Sequence, residues 1–146
     1  MRRSIPFLPI LLSLSCSSPF WRGMDSGFAS YRLTSYDELP RTGLPPLFAD
    51  WAEYEAYTQV LQRAGIIANP SYIWWAIRPS FRYLTLELRI ADACTRMEDS
   101  LTIAAVYRSL VRALVLDPSI NAGLTSPERA LAKENKWRVQ RYGLDA

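Results

Sequence analysis

The sequence predicts an α+β fold, and three patterns within its 146 residues support this class. Residues 84–92, LTLELRIAD, alternate between apolar and polar side chains, as expected of a strand with one buried face. The stretches 48–65 and 98–116 instead carry apolar residues at helical spacing. At this length a single domain, residues 1–146, is the expectation.

The first segment to interpret is IPFLPILLSLSCSSPFW, residues 5–21, which follows two arginines. Two arginines, an apolar run and Cys16 are typical of an export signal with a lipid-anchoring cysteine. Against this, Pro6 and Pro9 interrupt the apolar run, and the residues after Cys16 are aromatic and basic where a cleavage region is small. The run is also shorter than the ~20 apolar residues that span a bilayer. These residues alone leave two alternatives, an export signal and a helix of the fold.

A helix is predicted after the loop GLPP at residues 43–46. Asp50 and Glu53 form a capping box at its start, and Gly65 ends it. Its predicted apolar face consists of Trp51, Tyr54, Leu61 and Ala64.

Two further helices are predicted in the second half of the chain. One spans residues 98–116 and stops at Asp117-Pro118, because the residue before a proline disfavours helix. The other begins at Thr125, with Glu128 as its capping partner, and continues to about Tyr142. The first of the two is expected to bury Ala104, Ala105, Tyr107, Leu110, Val111 and Leu114.

Between these helices the sequence predicts an antiparallel hairpin with a short loop around residues 80–83. In its second strand, Glu87 and Arg89 share one face. The opposite, apolar face is Leu84, Leu86, Leu88 and Ile90. Arg78 of the first strand joins Glu87 and Arg89 if the register keeps both apolar faces together.

One carboxylate between two arginines on a sheet face suits a metal–phosphate site. Glu87 would bind Mg²⁺ through oxygen, and Arg78 and Arg89 would neutralise phosphate oxygens. The alternative is a solvated strand face with a cross-strand ion pair, which is common. Arg32, after the turn-prone GFAS, is open to two interpretations as well, a surface residue or a clamp for a substrate carboxylate.

Composition excludes several function classes. The chain has no histidine, which excludes histidine-based triads and HExxH zinc sites. Its 17 basic and 14 acidic residues are interspersed, so no nucleic-acid-binding stripe is indicated. The two cysteines, Cys16 and Cys94, lack metal-site spacing. One disulfide between them is an alternative, but two free, buried thiols in a reducing compartment are the commoner interpretation of such a pair.

Three stretches resemble one known family along nearly the whole chain. They are LSLSCSSPFWRGMDSGFASYRLTSYDELPRTGLPP, IWWAIRPSFRYLTLELRIAD and ENKWRVQRYGLDA. Together, and in this order, they resemble the bacterial carboxylate–amine ligase family related to type 2 glutamate–cysteine ligases. In that family the first stretch is an internal helix leading into an active-site segment. The resemblance therefore favours a core helix over an export signal, and a cytoplasmic protein without membrane or nucleic-acid partners.

The resemblance also implies a fold and roles for individual residues. The fold would be part of a glutamine-synthetase-like antiparallel sheet with packed helices. Glu87 would be a magnesium ligand, Arg78 and Arg89 would contact phosphate in catalysis, and Arg32 would hold the carboxylate of the amino-acid substrate. On the last helix, Asn135 and Arg138 are weaker candidates for nucleotide binding, with Arg141 beside them. The implied reaction is ATP- and Mg²⁺-dependent amide formation between glutamate and an amine such as cysteine.

One departure from the family limits this expectation. Its members are much longer, and the similar region begins after their acidic and histidine-containing strands. The chain is therefore expected to be the C-terminal half of a catalytic domain, inactive alone, pairing with a missing N-terminal half or self-associating through an uncovered face that includes Trp74 and Trp75. The alternatives are a non-catalytic remnant and an exported lipoprotein-like binding module.

Overall fold

A computed structural model describes all 146 residues of the chain. Its nine main elements combine helices with two small antiparallel sheets, which confirms the α+β class. The elements are α1 (Leu8–Ser13), β1 (Phe20–Trp21), β2 (Met24–Asp25), α2 (Tyr31–Tyr36), α3 (Trp51–Arg63), β3 (Ile77–Pro79), β4 (Leu86–Leu88), α4 (Met97–Leu116) and α5 (Ser126–Tyr142). Short 3₁₀ helices cover Arg2–Phe7, Pro70–Tyr72 and Gly143–Asp145. No helix is both long and apolar enough to cross a membrane.

The N-terminal apolar run is a buried helical segment, as the family resemblance implied. The 3₁₀ helix Arg2–Phe7 continues directly into α1, which packs on α5. Its buried residues belong to the largest core cluster, which also includes Ile77, Ile90 and Val139. Cleavage before Cys16 would remove four residues from that core: Ile5, Leu8, Leu11 and Leu12.

Helix α3 begins and ends where the sequence predicted, but its buried face is narrower. Asp50 caps it by accepting a hydrogen bond from the Glu53 amide, whereas the Glu53 carboxylate returns to the amide of Ala49 rather than to that of Asp50. Tyr54 is buried, while Trp51 is 57% exposed and Ala64 is also exposed, so both were wrongly placed in the apolar face. Tyr54 and Thr58, four residues apart, are the buried residues of the helix, so a single row of side chains along it faces the core.

A second, aromatic cluster lies beneath α3. It consists of Phe48, Tyr54, Ile67, Ile73 and Trp75. The prediction that Trp75 lies on an uncovered face is therefore wrong, because Phe48, Tyr54 and Tyr57 pack around its ring. Trp74 is half-buried, with the Arg41 guanidinium 5.4 Å from its ring centroid.

Strands β3 and β4 form the predicted hairpin in the predicted register. Ile77 pairs with Leu88, Arg78 with Glu87, and Pro79 with Leu86. The strands are shorter than the alternation suggested, and Leu84 is fully exposed, so its assignment to the apolar face is wrong. The loop closes through the Ser80 amide, which donates to the Thr85 carbonyl, so the ladder begins after Leu84.

The long helix α4 has the predicted bounds to within one residue and packs largely on the predicted face, which is narrower than expected. Ile103 and Leu114 are buried, Tyr107, Leu110 and Val111 are half-buried, and Ala104 and Ala105 are exposed. The expectation for the two alanines is therefore wrong. In α5, by contrast, the Thr125–Glu128 capping box forms as predicted.

Candidate functional site

The pairing of β3 with β4 assembles the predicted cluster around Glu87. Oε2 of Glu87 lies 2.5 Å from Nη2 of Arg78, its cross-strand partner, and 3.6 Å from Nη1 of Arg89. The side chains of Glu87 and Arg89 are about one-third exposed, at 32% and 27%. The three residues share one face of the hairpin, as the alternation predicted, and the carboxylate lies between two cations.

Arg78 has a different environment from Arg89. Its side chain is only 6% exposed, and its Nη1 donates to the backbone carbonyls of Ser71 and Ile73, each at 2.6 Å. These contacts fix the turn at residues 70–73 and hold the guanidinium against Glu87. In this arrangement Arg78 orients Glu87. The contact of Arg78 with phosphate stays a prediction.

Tyr36 connects Arg89 to Arg32. The Tyr36 hydroxyl accepts a hydrogen bond from Nη2 of Arg89 at 2.5 Å, and the Arg32 guanidinium lies 5.5 Å from the Tyr36 ring centroid. Nη2 of Arg32 also donates to the Arg89 carbonyl at 3.1 Å. Tyr36 and the Arg89 carbonyl thus connect Arg32 to the segment that carries Glu87, a link that the sequence pattern did not reveal. The expected approach of Arg32 to the Glu87 face itself stays a prediction.

A lysine that the sequence analysis did not single out lies beside this cluster. Lys136 is 4% exposed, and its Nζ lies 2.5 Å from Oδ2 of Asp37 and 3.1 Å from Oε1 of Gln140. Tyr36, Arg89 and Lys136 line one small cavity. The helical spacing of Lys136 and Gln140 could have indicated that they share a face, but their burial depends on α2 packing on α5.

The remaining candidates lie elsewhere. Asn135 and Arg138 line a separate pocket against Pro6, Pro9 and the C-terminal residues, so the structure does not bring them to Glu87. Arg141 packs its guanidinium 5.2 Å from the ring centroid of Phe28, beside Gly27. The nucleotide-binding roles of Asn135 and Arg138 stay predictions.

The residues of this chain do not form a complete cation site. No group of three or more carboxylate or thiol side chains converges anywhere in the structure. Glu87 supplies one carboxylate, and that carboxylate is already paired with two arginines. Mg²⁺ usually binds through one or two carboxylates together with phosphate oxygens and water. Glu87 could thus supply one ligand of the ion, and the remaining ligands would come from outside this chain. Arg78 and Arg89 instead fit an anion such as phosphate.

Arg32 also lines an open pocket of about 560 Å³. The aromatic residues Trp21, Tyr31 and Tyr36 line the same pocket, together with Glu38. The Trp21 and Tyr31 ring centroids are 5.3 Å apart. A guanidinium in an aromatic wall can bind a carboxylate while the rings cover the rest of a small ligand.

Comparison with known proteins gives a consistent match along the chain. The family model for glutamate–cysteine ligase family 2 matches residues 1–146. A protein of Bradyrhizobium sp. strain BTAi1 is 50% identical over 145 residues, which are 99% of this chain and 36% of that protein. A protein of Rhodospirillum rubrum is 53% identical over 139 residues, or 95% of this chain and 36% of its own length. Both carry the name "Putative glutamate--cysteine ligase 2". The chain thus spans about a third of the length of these relatives.

Proposed function

Because the chain belongs to glutamate–cysteine ligase family 2, we propose that it forms part of the catalytic domain of an ATP-dependent carboxylate–amine ligase. In the proposed reaction, the γ-carboxylate of glutamate attacks the terminal phosphorus of ATP, and ADP leaves. The amine of an acceptor such as cysteine then attacks the acyl phosphate, loses a proton and displaces inorganic phosphate. The product is an amide.

The observation that carries this proposal is the chain of contacts from Arg78 through Glu87, Arg89 and Tyr36 to Arg32. Partly exposed guanidinium groups stabilise the charge that develops on a transferring phosphoryl group. We assign this role to Arg89, which is accessible, and the binding of a substrate carboxylate to Arg32. Mg²⁺, when bound with ATP, would supply further charge stabilisation, and Glu87 would contribute one of its oxygen ligands.

We further propose that β3 and β4 belong to a larger glutamine-synthetase-like sheet and that the protein acts in the cytoplasm. The 146-residue chain is expected to be inactive alone, since it offers a single carboxylate at the site. It would need the rest of the domain or would self-associate. The outer face of α4 is the surface we expect to be covered, because Leu101, Val115 and Leu116 are each more than 60% exposed there. Sedimentation that shows only monomer at high concentration would argue against self-association.

The proposed function is tested by grafting. Residues 1–146 replace the matching segment of the Rhodospirillum rubrum relative, and release of phosphate is measured with ATP, glutamate and cysteine present or omitted one at a time. We expect phosphate release that requires all three, and none from the 146-residue chain alone. A folded graft that is inactive under conditions where the unmodified relative is active would refute the assignment and favour a non-catalytic remnant.

A further inference from the structure

Asp92 is the most completely buried carboxylate in an ion pair, with a side chain 1% exposed. Its Oδ1 accepts a hydrogen bond from the Ser30 hydroxyl at 2.9 Å. Its Oδ2 accepts from the Ser17 amide at 3.1 Å and from the Ser18 hydroxyl at 2.8 Å. Its own backbone amide donates to the Ser15 hydroxyl at 3.1 Å. Three serines thus donate to the carboxylate and a fourth accepts from its backbone amide, four residues after the end of β4.

The only cation paired with this carboxylate is Arg32. Nη1 of Arg32 lies 3.6 Å from Oδ1 of Asp92 and is buried without a hydrogen-bond partner. The Arg32 backbone amide donates to the same Ser18 hydroxyl that contacts Asp92, at 3.2 Å. Asp92 therefore touches both the head of the Arg32 side chain and the residue that anchors its backbone.

The hydrogen bonds to the serines alone do not explain why a negatively charged residue occupies position 92. Burying a carboxylate is costly, and a neutral amide could satisfy the same serines: its oxygen could accept from the Ser17 amide and the Ser18 hydroxyl while its NH2 donated to the Ser30 hydroxyl. Nη1 of Arg32 is different, because it is buried and the Asp92 carboxylate is the negative charge beside it. An uncharged group at this position would leave the guanidinium without that attraction, in a setting where Nη2 is held only by the Arg89 carbonyl.

We propose that Asp92 is a positioning residue for Arg32. It holds one edge of the guanidinium so that the side chain lines the pocket formed by Trp21, Tyr31 and Tyr36, ready to meet a carboxylate. The identification of that carboxylate as the one carried by the amino-acid substrate rests on the proposed function. The orientation of Arg32 by Asp92 is independent of the proposed function.

The orientation is tested first, on the 146-residue chain, by NMR of the arginine side chains. The Arg32 signals are assigned as those lost in Arg32→Lys. We expect separate Hη signals for Arg32, because a guanidinium held at Asp92 and at the Arg89 carbonyl rotates slowly about its Cζ–Nη bonds. In Asp92→Asn, which keeps the size and an oxygen acceptor, these signals should merge. In the control Ser30→Ala, which removes one donor and leaves the charge pair, they should stay separate.

Two results would overturn the positioning role. One is a set of averaged Arg32 Hη signals in the unsubstituted chain, a test that does not depend on the folding of any Asp92 variant. The other is a folded Asp92→Asn variant whose Arg32 signals are unchanged.

The substrate class is tested separately in the active graft. Asp92→Asn should raise the KM for glutamate about 10- to 100-fold and change the KM for ATP less than about twofold, because only the carboxylate clamp is misplaced. Equal changes in both constants, or none in that for glutamate, would refute the carboxylate assignment. An inactive graft would instead count against the proposed function, and the NMR result would still decide the role of Asp92.

Discussion

Replacing Glu87 tests the centre of the candidate site, and the structure sets the size of the effect. Glu87→Ala would leave Nη2 of Arg78 without its carboxylate, at a side chain only 6% exposed. Breaking a buried pair costs about 3–5 kcal/mol. Because the Glu87 side chain is 32% exposed and Arg78 keeps its backbone carbonyls, we expect about 2–3 kcal/mol. For a chain of this size that corresponds to a fall in Tm of about 6–10 °C.

Glu87→Gln separates charge from shape. The amide oxygen still accepts from Arg78, so only the difference between a charged and a neutral acceptor is lost, about 1 kcal/mol, or about 3 °C in Tm. The matched control is Glu98→Gln, which removes the exposed Arg96–Glu98 pair, where the two side chains are 71% and 74% exposed. That change should alter stability by less than about 0.5 kcal/mol. Thermal unfolding followed by circular dichroism measures all three variants.

In the active graft, Glu87→Gln is expected to abolish phosphate release while the fold persists, since a neutral amide is a poor substitute for a carboxylate ligand. Near-normal turnover at limiting Mg²⁺ would refute the assignment of Glu87 to the metal. If Glu87→Ala also unfolds at the temperature of the unsubstituted chain, the ion pair with Arg78 contributes nothing and the stability argument is wrong as well.

Three other predictions concern the fold. Leu8→Ala should lower the free energy of unfolding in urea by about 2–5 kcal/mol, because Leu8 is 0% exposed. The control Ile10→Ala, at a position 56% exposed in the same helix, should change stability little. Equal effects of the two substitutions would place α1 outside the core. Burial, and secondarily the charge of Asp92, raises the pKa of the Cys16 thiol to about 11. At pH 8, iodoacetamide should therefore alkylate Cys94 before Cys16. The reverse order of alkylation, followed by mass spectrometry, would contradict this prediction. Hydrogen bonds from Thr125 lower the pKa of Glu128 below its ordinary 4.5. The stability that this cap contributes is therefore present above pH 4.5 and should be lost as the pH falls through the pKa of Glu128 in the folded chain. A pH midpoint of acid unfolding that Thr125→Ala leaves unchanged would count against this prediction.

The parts of the fold that depend on neighbouring residues could be predicted from the sequence. The Thr125–Glu128 capping box and the end of α3 at Gly65 (φ 68°) are both set within a few residues. The register of β3 and β4 also follows from local alternation, since a slip by one residue would move Ile77 and Leu88 out of the core. These local signals brought Arg78, Glu87 and Arg89 to one face.

What could not be predicted depends on which surfaces meet. Helix α4 carries apolar residues around most of its circumference, so periodicity did not show that Ala104 and Ala105 lie outside the inward-facing row that includes Ile103 and Tyr107. The burial of Trp75 requires α3 to cross it, and the burial of Arg78 requires the carbonyls of the 70–73 turn. None of these contacts leaves a repeating pattern in the sequence.

The segment after α1 illustrates the same limit most directly. Two arginines, an apolar run and Cys16 suggested an export signal, because composition is what such signals share. In the folded chain, the Ser17 amide and the Ser18 hydroxyl donate to a carboxylate 75 and 74 residues away. They thereby join the segment after α1 to the segment after β4. The role of these serines in the fold becomes visible only with Asp92 in place. Likewise, without the serines Asp92 could not be distinguished from a surface carboxylate. Arg32 lies where these two distant segments meet, so its position depends on a contact that only the folded chain creates.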